Sequence, residues 1–216
     1  MAMPSPAPKE PVRLVHSGDE PATGALASDP GMVGLPSFIV GTVALGLASI
    51  GVLPSAPTTA VLPIVLTATS IGLLLATIWS LVAKENAAAG IYGVFSGFFL
   101  SYAALQVGLL HGWFGIGLTS IIATQKLFLI SWLVVVTMLI LATLRLPVIF
   151  TALFVLVDLT LLFSLLQVIQ NSTAMAKATG WTALAVAAVG IYLFVSSSFR
   201  DTGGKELPTG KPVLHT

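Results

Sequence analysis

The sequence predicts an all-α, polytopic membrane protein: six transmembrane helices with both termini cytoplasmic. Three observations carry that reading. Of 216 residues, 56% are hydrophobic and only 8% are charged, where a soluble domain carries about 25%. Mean hydropathy is +1.01. The apolar residues also fall into six continuous runs, each near the roughly 20 positions that a helix needs to cross a bilayer. Membrane strands alternate apolar and polar residues, whereas continuous helices satisfy their own backbone in lipid. A soluble enzyme and a large extramembrane domain are excluded by the same composition. A net charge of +1 argues against nucleic acid as a partner, and the absence of cysteine excludes disulfides, thiolate nucleophiles and Cys-ligated metals.

Each element follows from its boundaries. Residues 1–34, rich in Pro, Ser, Ala and charge, read as a disordered cytoplasmic tail with no signal-peptide run. The transmembrane domain is expected over 35–199. Its first run, Leu35 to Leu53, closes at Pro54 and Pro57. The second, Thr58 to Ala83, stops at Lys84 and Glu85, and its early Pro63 should bend the helix or delay its start. The third covers Ala87 to Leu110. A glycine-rich connection, Gly112 to Lys126, leads to the fourth, Leu127 to Leu144. Arg145 and Pro147 precede the fifth, Val148 to Ile169. The sixth runs from Gly180 to Phe199, and residues 200–216 form a second cytoplasmic tail, also expected to be flexible.

Orientation comes from the basic residues. Lys9, Arg13, Lys84, Arg145, Arg200, Lys205 and Lys211 fall on one side of the six-span arrangement, and only Lys126 and Lys177 on the other. The positive-inside rule places the larger group in the cytoplasm, in the plasma membrane of a multi-pass protein. Trp113 and Trp181 then sit near the outer interface and Trp79 near the inner one, where indole prefers to lie.

Few residues offer chemistry. Asp158, near the middle of the fifth span, is the one charged residue expected inside a span, with no Lys or Arg in any span to pair with it. A carboxylate there costs about 2.5–3.5 kcal/mol unless it is protonated, hydrated or paired. It reads either as a proton-coupling or pore-lining polar group, or as a protonated carboxyl bonded to a neighbouring helix. Thr160, Ser164, Gln167 and Asn171 form a polar stripe on the same helix, roughly 160° from Asp158. In the third span Ala89, Gly93, Gly97 and Ser101 make a small-residue row suited to close helix packing. Tyr92, Phe95, Phe99 and Tyr102 occupy nearly the opposite face, as packing groups or as pore-lining aromatics of a constriction. Gly41, Gly46 and Gly51 suit close packing of the first helix. His16, His111 and His215 lie in tails or a connection, so no intramembrane Ser–His dyad forms. One intramembrane carboxylate cannot make a paired-Asp protease, and no GxxxxGK[ST] loop is present. The chain is therefore expected not to be an enzyme, and to need no cofactor or metal. Passive or ion-coupled permeation remains.

The segment Asp29-Pro30-Gly31-Met32-Val33-Gly34-Leu35 shares Pro30, Gly34 and Leu35 with an Asn-Pro-Ala-Pro-Leu-Gly-Leu signature. Phe95-Ser96-Gly97-Phe98-Phe99-Leu100-Ser101 is similar to a Tyr-Gly-x-Phe-Trp-Leu-Ser/Thr block. Thr143-Leu144-Arg145, Gly180-Trp181 and Ile191-Tyr192-Leu193 match further landmarks. In these features the chain resembles the acetate uptake transporter family, the bacterial succinate–acetate permeases and their fungal relatives, from about Asp29 to Arg200. The resemblance implies a hexamer, each subunit with its own pore, pinched by Phe38, Phe95 and Val157. Phe95 stands where the family has Tyr, and Leu73 falls near a family Gln. Asp158 adjoins the implied constriction.

The function expected is a channel or carrier for small monocarboxylates such as acetate, with succinate at the upper size, proton-coupled through Asp158. The alternatives are a channel for small neutral solutes such as urea or short amides, and a non-conducting membrane assembly subunit.

Overall fold

The computed structural model describes residues 28–52 and 58–214. Most of the expected amino-terminal tail, with His16, and the carboxyl-terminal His215 lie outside the described residues. Six helical spans, each long and apolar enough to cross a bilayer, account for most of the rest.

Helix α1 (Gly31–Ile50) starts earlier than the apolar run from Leu35. The Asp29 carboxylate accepts the Gly31 N–H at 2.7 Å, and the Pro30 carbonyl accepts from Val33 and Gly34. These contacts meet donors that a helix start leaves open, so the four residues from Gly31 to Gly34 join the helix ahead of the expected run. It ends at Gly51, whose left-handed φ of 74° suits a residue without Cβ.

The second span is built in stages. A 3-10 turn (Thr58–Val61) leads into α2 (Leu62–Ile64), a π-helical turn (Val65–Thr69) and then α3 (Ser70–Val82). Pro63 sits in the first turn, where its missing N–H costs least. Regular α-helix is delayed to Ser70, and the wide turn seats Thr69 against Gly41 of α1.

The other spans are α4 (Asn86–His111), α5 (Ile121–Thr143), α6 (Val148–Gln170) and α7 (Thr173–Asp201). Helix α5 begins at Ile121 rather than Leu127, and α7 at Thr173 rather than Gly180. Lys126 and Lys177 are therefore inside the opening turns of helices, which corrects the expectation that no span holds a basic residue. Hydropathy marks the apolar run, whereas the helix extends outward wherever long side chains can carry their charge to the interface. Ser172 starts α7 by accepting the Met175 N–H.

The spans form a ring in the order α4, α3, α1, α7, α6, α5, which closes back on α4. The tightest seam is α1 on α7: a Cβ on Gly180 would lie 2.8 Å from the Gly46 carbonyl oxygen. The small-residue row on α4 divides its work. Ala89 is buried, Gly93 faces Thr77 of α3, Gly97 faces Trp132 of α5, and Ser101 donates to the Phe98 carbonyl. Large aromatics fill the α4–α5 seam, where Phe98 meets Phe128 and Trp132 with ring centroids 6.0 and 5.4 Å apart.

The carboxyl-terminal segment departs from the flexible tail expected at 200–216. Helix α7 runs to Asp201, and the chain then folds back over the starts of α6 and the end of α7. The carbonyls of Lys211 and Thr209 accept the Val148 and Ile149 N–H groups, and Ser196 accepts from Leu207 at 3.1 Å. Tyr192 donates to the Pro208 carbonyl at 2.8 Å. Helix α6 follows Pro147 with no side-chain cap of its own, so this strap supplies the acceptors that its first turn lacks.

Candidate functional site

The helix ring encloses a cavity of about 390 Å³. Its walls come from α1, α4, α5, α6 and α7, and it extends from the middle of the bundle toward the end opposite the described termini. Helical spacing explains the α6 wall: Val157, Thr160, Leu161, Ser164 and Gln167 recur on one face and all line the cavity. Across from them stand Phe38, Thr42 and Ser49 of α1, Phe95, Phe99, Tyr102 and Gln106 of α4, and Gln125 of α5. Thr179 and Ala183 of α7 complete the wall.

Phe38, Phe95 and Val157 do come together, at the inner end of this vestibule. The Phe38 and Phe95 rings meet edge-on with centroids 4.9 Å apart, and Phe38 also meets Phe99 at 6.2 Å. Phe154, which is fully buried, stacks on Phe95 at 5.8 Å and backs it from α6. Edge-on and offset rings attract beyond their area, so these side chains form a packed cluster. Leu73 packs in the same cluster.

Phe99 lines the vestibule. Tyr92 does not. It lies toward the termini and presses its ring against Gly34, near Gly31. Pro30 is buried, Gly34 meets Tyr92, and Leu35 is half-buried, so these three residues seat the start of α1. Asp29, just before them, accepts from Ser197 and pairs with Arg200 at 2.6 Å, tying α1 to the end of α7. Nearby, burial and the Asp29 carboxylate hold Glu85 above the ordinary carboxyl range, while Arg200 pulls the other way.

Asp158 stands apart from the vestibule. It follows Val157 by one residue, hence by about 100° of helix turn, and accepts a hydrogen bond from Thr137 of α5 at 3.2 Å. The pair is on the outside of the α5–α6 seam, beside the exposed Val155, Leu159, Val134 and Met138. Asn171 ends α6 in a left-handed conformation, so the polar stripe reaches the cavity only through Thr160, Ser164 and Gln167.

The cavity wall includes no charged residue among the described residues. Thr42, Thr160 and Ser164 donate their hydroxyl protons to the carbonyls of Phe38, Leu156 and Thr160. Thr179 is buried, with its Oγ1 lacking a hydrogen-bond partner. Sequence reasoning missed Gln106, Gln125, Thr42, Thr179 and Phe154. Gln106 carried a signal, as a lone carboxamide within an apolar run; Gln125, beside Lys126 in the expected connection, carried none, and Phe154 none beyond its position one turn before Val157.

A ring of six helices, each able to span a membrane, around an aromatic-lined cavity is the build of a multi-pass membrane transport protein. The sequence profile described as the GPR1/FUN34/yaaH family matches residues 15–202, and the chain belongs to that family, the acetate uptake transporters that its landmarks resemble. Among solved structures it is similar to one described as the structure of the bacterial acetate channel SatP, with a TM-score of 0.73 and 19% identity. That likeness covers 85% of this chain and 99% of the other, and at this identity it speaks for the fold. No curated protein sequence matches.

Proposed function

We propose that the chain forms a membrane path for small monocarboxylates such as acetate. The observation that carries this reading is the vestibule ending on Phe38, Phe95 and Val157 within a single subunit. Family membership and the resemblance to an acetate channel support it. The aromatic ring sets the size limit, so acetate passes readily and succinate, with two carboxyls and a longer chain, tests the upper bound. The vestibule opens to the outside of the plasma membrane, following the orientation with both termini cytoplasmic. Residues 35–199 act as the transport domain, and the subunits assemble as a homo-oligomer, a hexamer, each with its own path.

On this reading Asp158 holds α6 to α5 through Thr137 on the outer wall and does not carry the coupling, because it does not line the vestibule. Asp158→Asn is expected to retain protein-dependent acetate flux within about two-fold. Loss of pH-gradient-driven accumulation in that variant, with oligomer size unchanged, would instead assign the coupling to Asp158.

The test is flux through purified protein in proteoliposomes, with a panel of one- to four-carbon acids. Protein-dependent acetate movement that falls with solute length is expected. A folded oligomer that moves none of them contradicts the reading and leaves a sealed assembly subunit.

A further inference from the structure

We propose that the first turns of α1 are a gate at the end of the bundle that carries the described termini. The gate hinges at Pro36, closes on Tyr92 and is latched by the pairing of Asp29 with Arg200. The inference rests on the monocarboxylate path above and concerns its other end, away from the vestibule.

The seam between α1 and α7 changes character along its length. Toward the vestibule it is backbone against backbone, since a Cβ on Gly180 would lie 2.8 Å from the Gly46 carbonyl oxygen. Small residues that let helices meet this closely make a fixed contact. Toward the termini the same seam is polar. One Asp29 carboxylate oxygen accepts the Gly31 N–H, at 2.7 Å; the other accepts from Ser197, and from Arg200 at 2.6 Å. Arg200 donates in turn to the Ser197 hydroxyl at 3.2 Å. Its contacts with Asp201 and Glu206, at 3.8 and 3.7 Å, are longer, so Asp29 is the partner that holds it. The Arg200 side chain is about half exposed. A pair so wetted parts and re-forms readily, which suits a latch better than a permanent staple.

Pro36 lies between these two regions, inside α1. Proline has no N–H for the carbonyl four residues back, here that of Met32, so the helix bends most easily at this turn. Gly31 to Leu35 can therefore swing as a unit while Phe38 stays seated beyond the hinge. What they close on is Tyr92. Cβ atoms placed on Gly34 and Gly31 would lie 2.5 Å from the Tyr92 ring and 3.2 Å from its hydroxyl oxygen, so the two glycines let Tyr92 sit directly against α1. Tyr92 is nearly one turn along α4 from Phe95, toward the termini. Beyond it opens a polar hollow of about 680 Å³, lined by Ser28, Asp29, Glu85, Arg200 and Asp201. The Tyr92–Gly34 contact stands between the aromatic cluster and that hollow, and lifting Gly31 to Leu35 removes it.

The experiment fastens the gate and then frees it in the same molecules. The Ser198 hydroxyl lies 4.0 Å from the Met32 sulfur, and the chain has no cysteine of its own. Met32→Cys and Ser198→Cys, introduced together, are bridged in detergent with a short bis-methanethiosulfonate. The full chain is then reconstituted, and labelled acetate flux is read before and after dithiothreitol. The expected result is a bridged rate at least about ten-fold below the reduced one, with no such change when either cysteine is alone. Arg200→Gln frees the latch without touching the Gly31 contact, so acetate flux is expected to rise about three-fold. Arg200→Lys keeps the charge and stays near the parent. A bridged chain that carries acetate as fast as the reduced chain overturns the gate. An Arg200→Gln rate at or below that of the parent, at unchanged oligomer size, overturns the latch. Either result leaves the monocarboxylate path standing. Absence of acetate flux from the parent and the reduced chain alike overturns the inference and the underlying reading together.

Discussion

On the proposed reading Val157 is an aliphatic group beside the Phe38–Phe95 contact whose size bears on which acids pass. One added methylene in an apolar pocket changes discrimination by about ten-fold or more. Val157→Leu is expected to lower the propionate-to-acetate flux ratio by about ten-fold, measured in the same vesicles; an unchanged ratio would place the size filter elsewhere. At the other end, Glu85 is held above the ordinary carboxyl value of 4.5 by burial and by Asp29. A carboxyl raised in the folded state favours folding most below its unfolded value, and that advantage is lost as pH rises through its folded value. Glu85→Gln removes the titration, so its thermal midpoint relative to the parent should climb between pH 4 and pH 7. A constant difference across that range would show that Glu85 is not coupled to folding.

At the scale of elements, the spans were legible because lipid demands long apolar helices, and six runs were present to be read. Their ends were not. Gly31, Ile121 and Thr173 open helices that hydropathy starts at Leu35, Leu127 and Gly180, because capping oxygens and interfacial lysines extend a helix beyond its apolar core. The carboxyl-terminal strap was equally hidden. Its polar, glycine-containing sequence looks like a tail, and only the first turn of α6, which needs acceptors, gives it a place. Deleting residues 205–216 removes the acceptors of Val148 and Ile149 and the partners of Tyr192 and Ser196. At about 1 kcal/mol for each of these four hydrogen bonds, a loss of about 10 °C in melting temperature is expected, read in detergent. A truncated chain that melts with the parent would show the strap to be passive.

At the scale of the molecule, Phe38, Phe95 and Val157, which the family resemblance implied as one ring, border one cavity, since their meeting depends on a register that a family motif records. Asp158, next to Val157 in the chain, and Tyr92, on the helical spacing of the α4 aromatics, do not border that cavity, because adjacency along a helix is not adjacency in space. One residue turns the Asp158 carboxyl away from the wall that Val157 faces, toward Thr137. Three residues, nearly a full turn along α4, separate Tyr92 at Gly34 from Phe95 in the aromatic cluster. The vestibule's carboxamides come from three different helices, so their meeting depends on ring order, which no single run reveals.

The most direct measurement exploits the absence of cysteine from the chain. Ser164→Cys places a lone thiol on the vestibule wall, and a charged methanethiosulfonate reagent added outside the membrane reads its exposure while acetate flux is followed. Labelling of Ser164→Cys together with a fall of at least about ten-fold in protein-dependent flux, and no effect on the cysteine-free parent, is the expected result. Complete labelling with flux unchanged would mean that acetate travels by some other way than this vestibule.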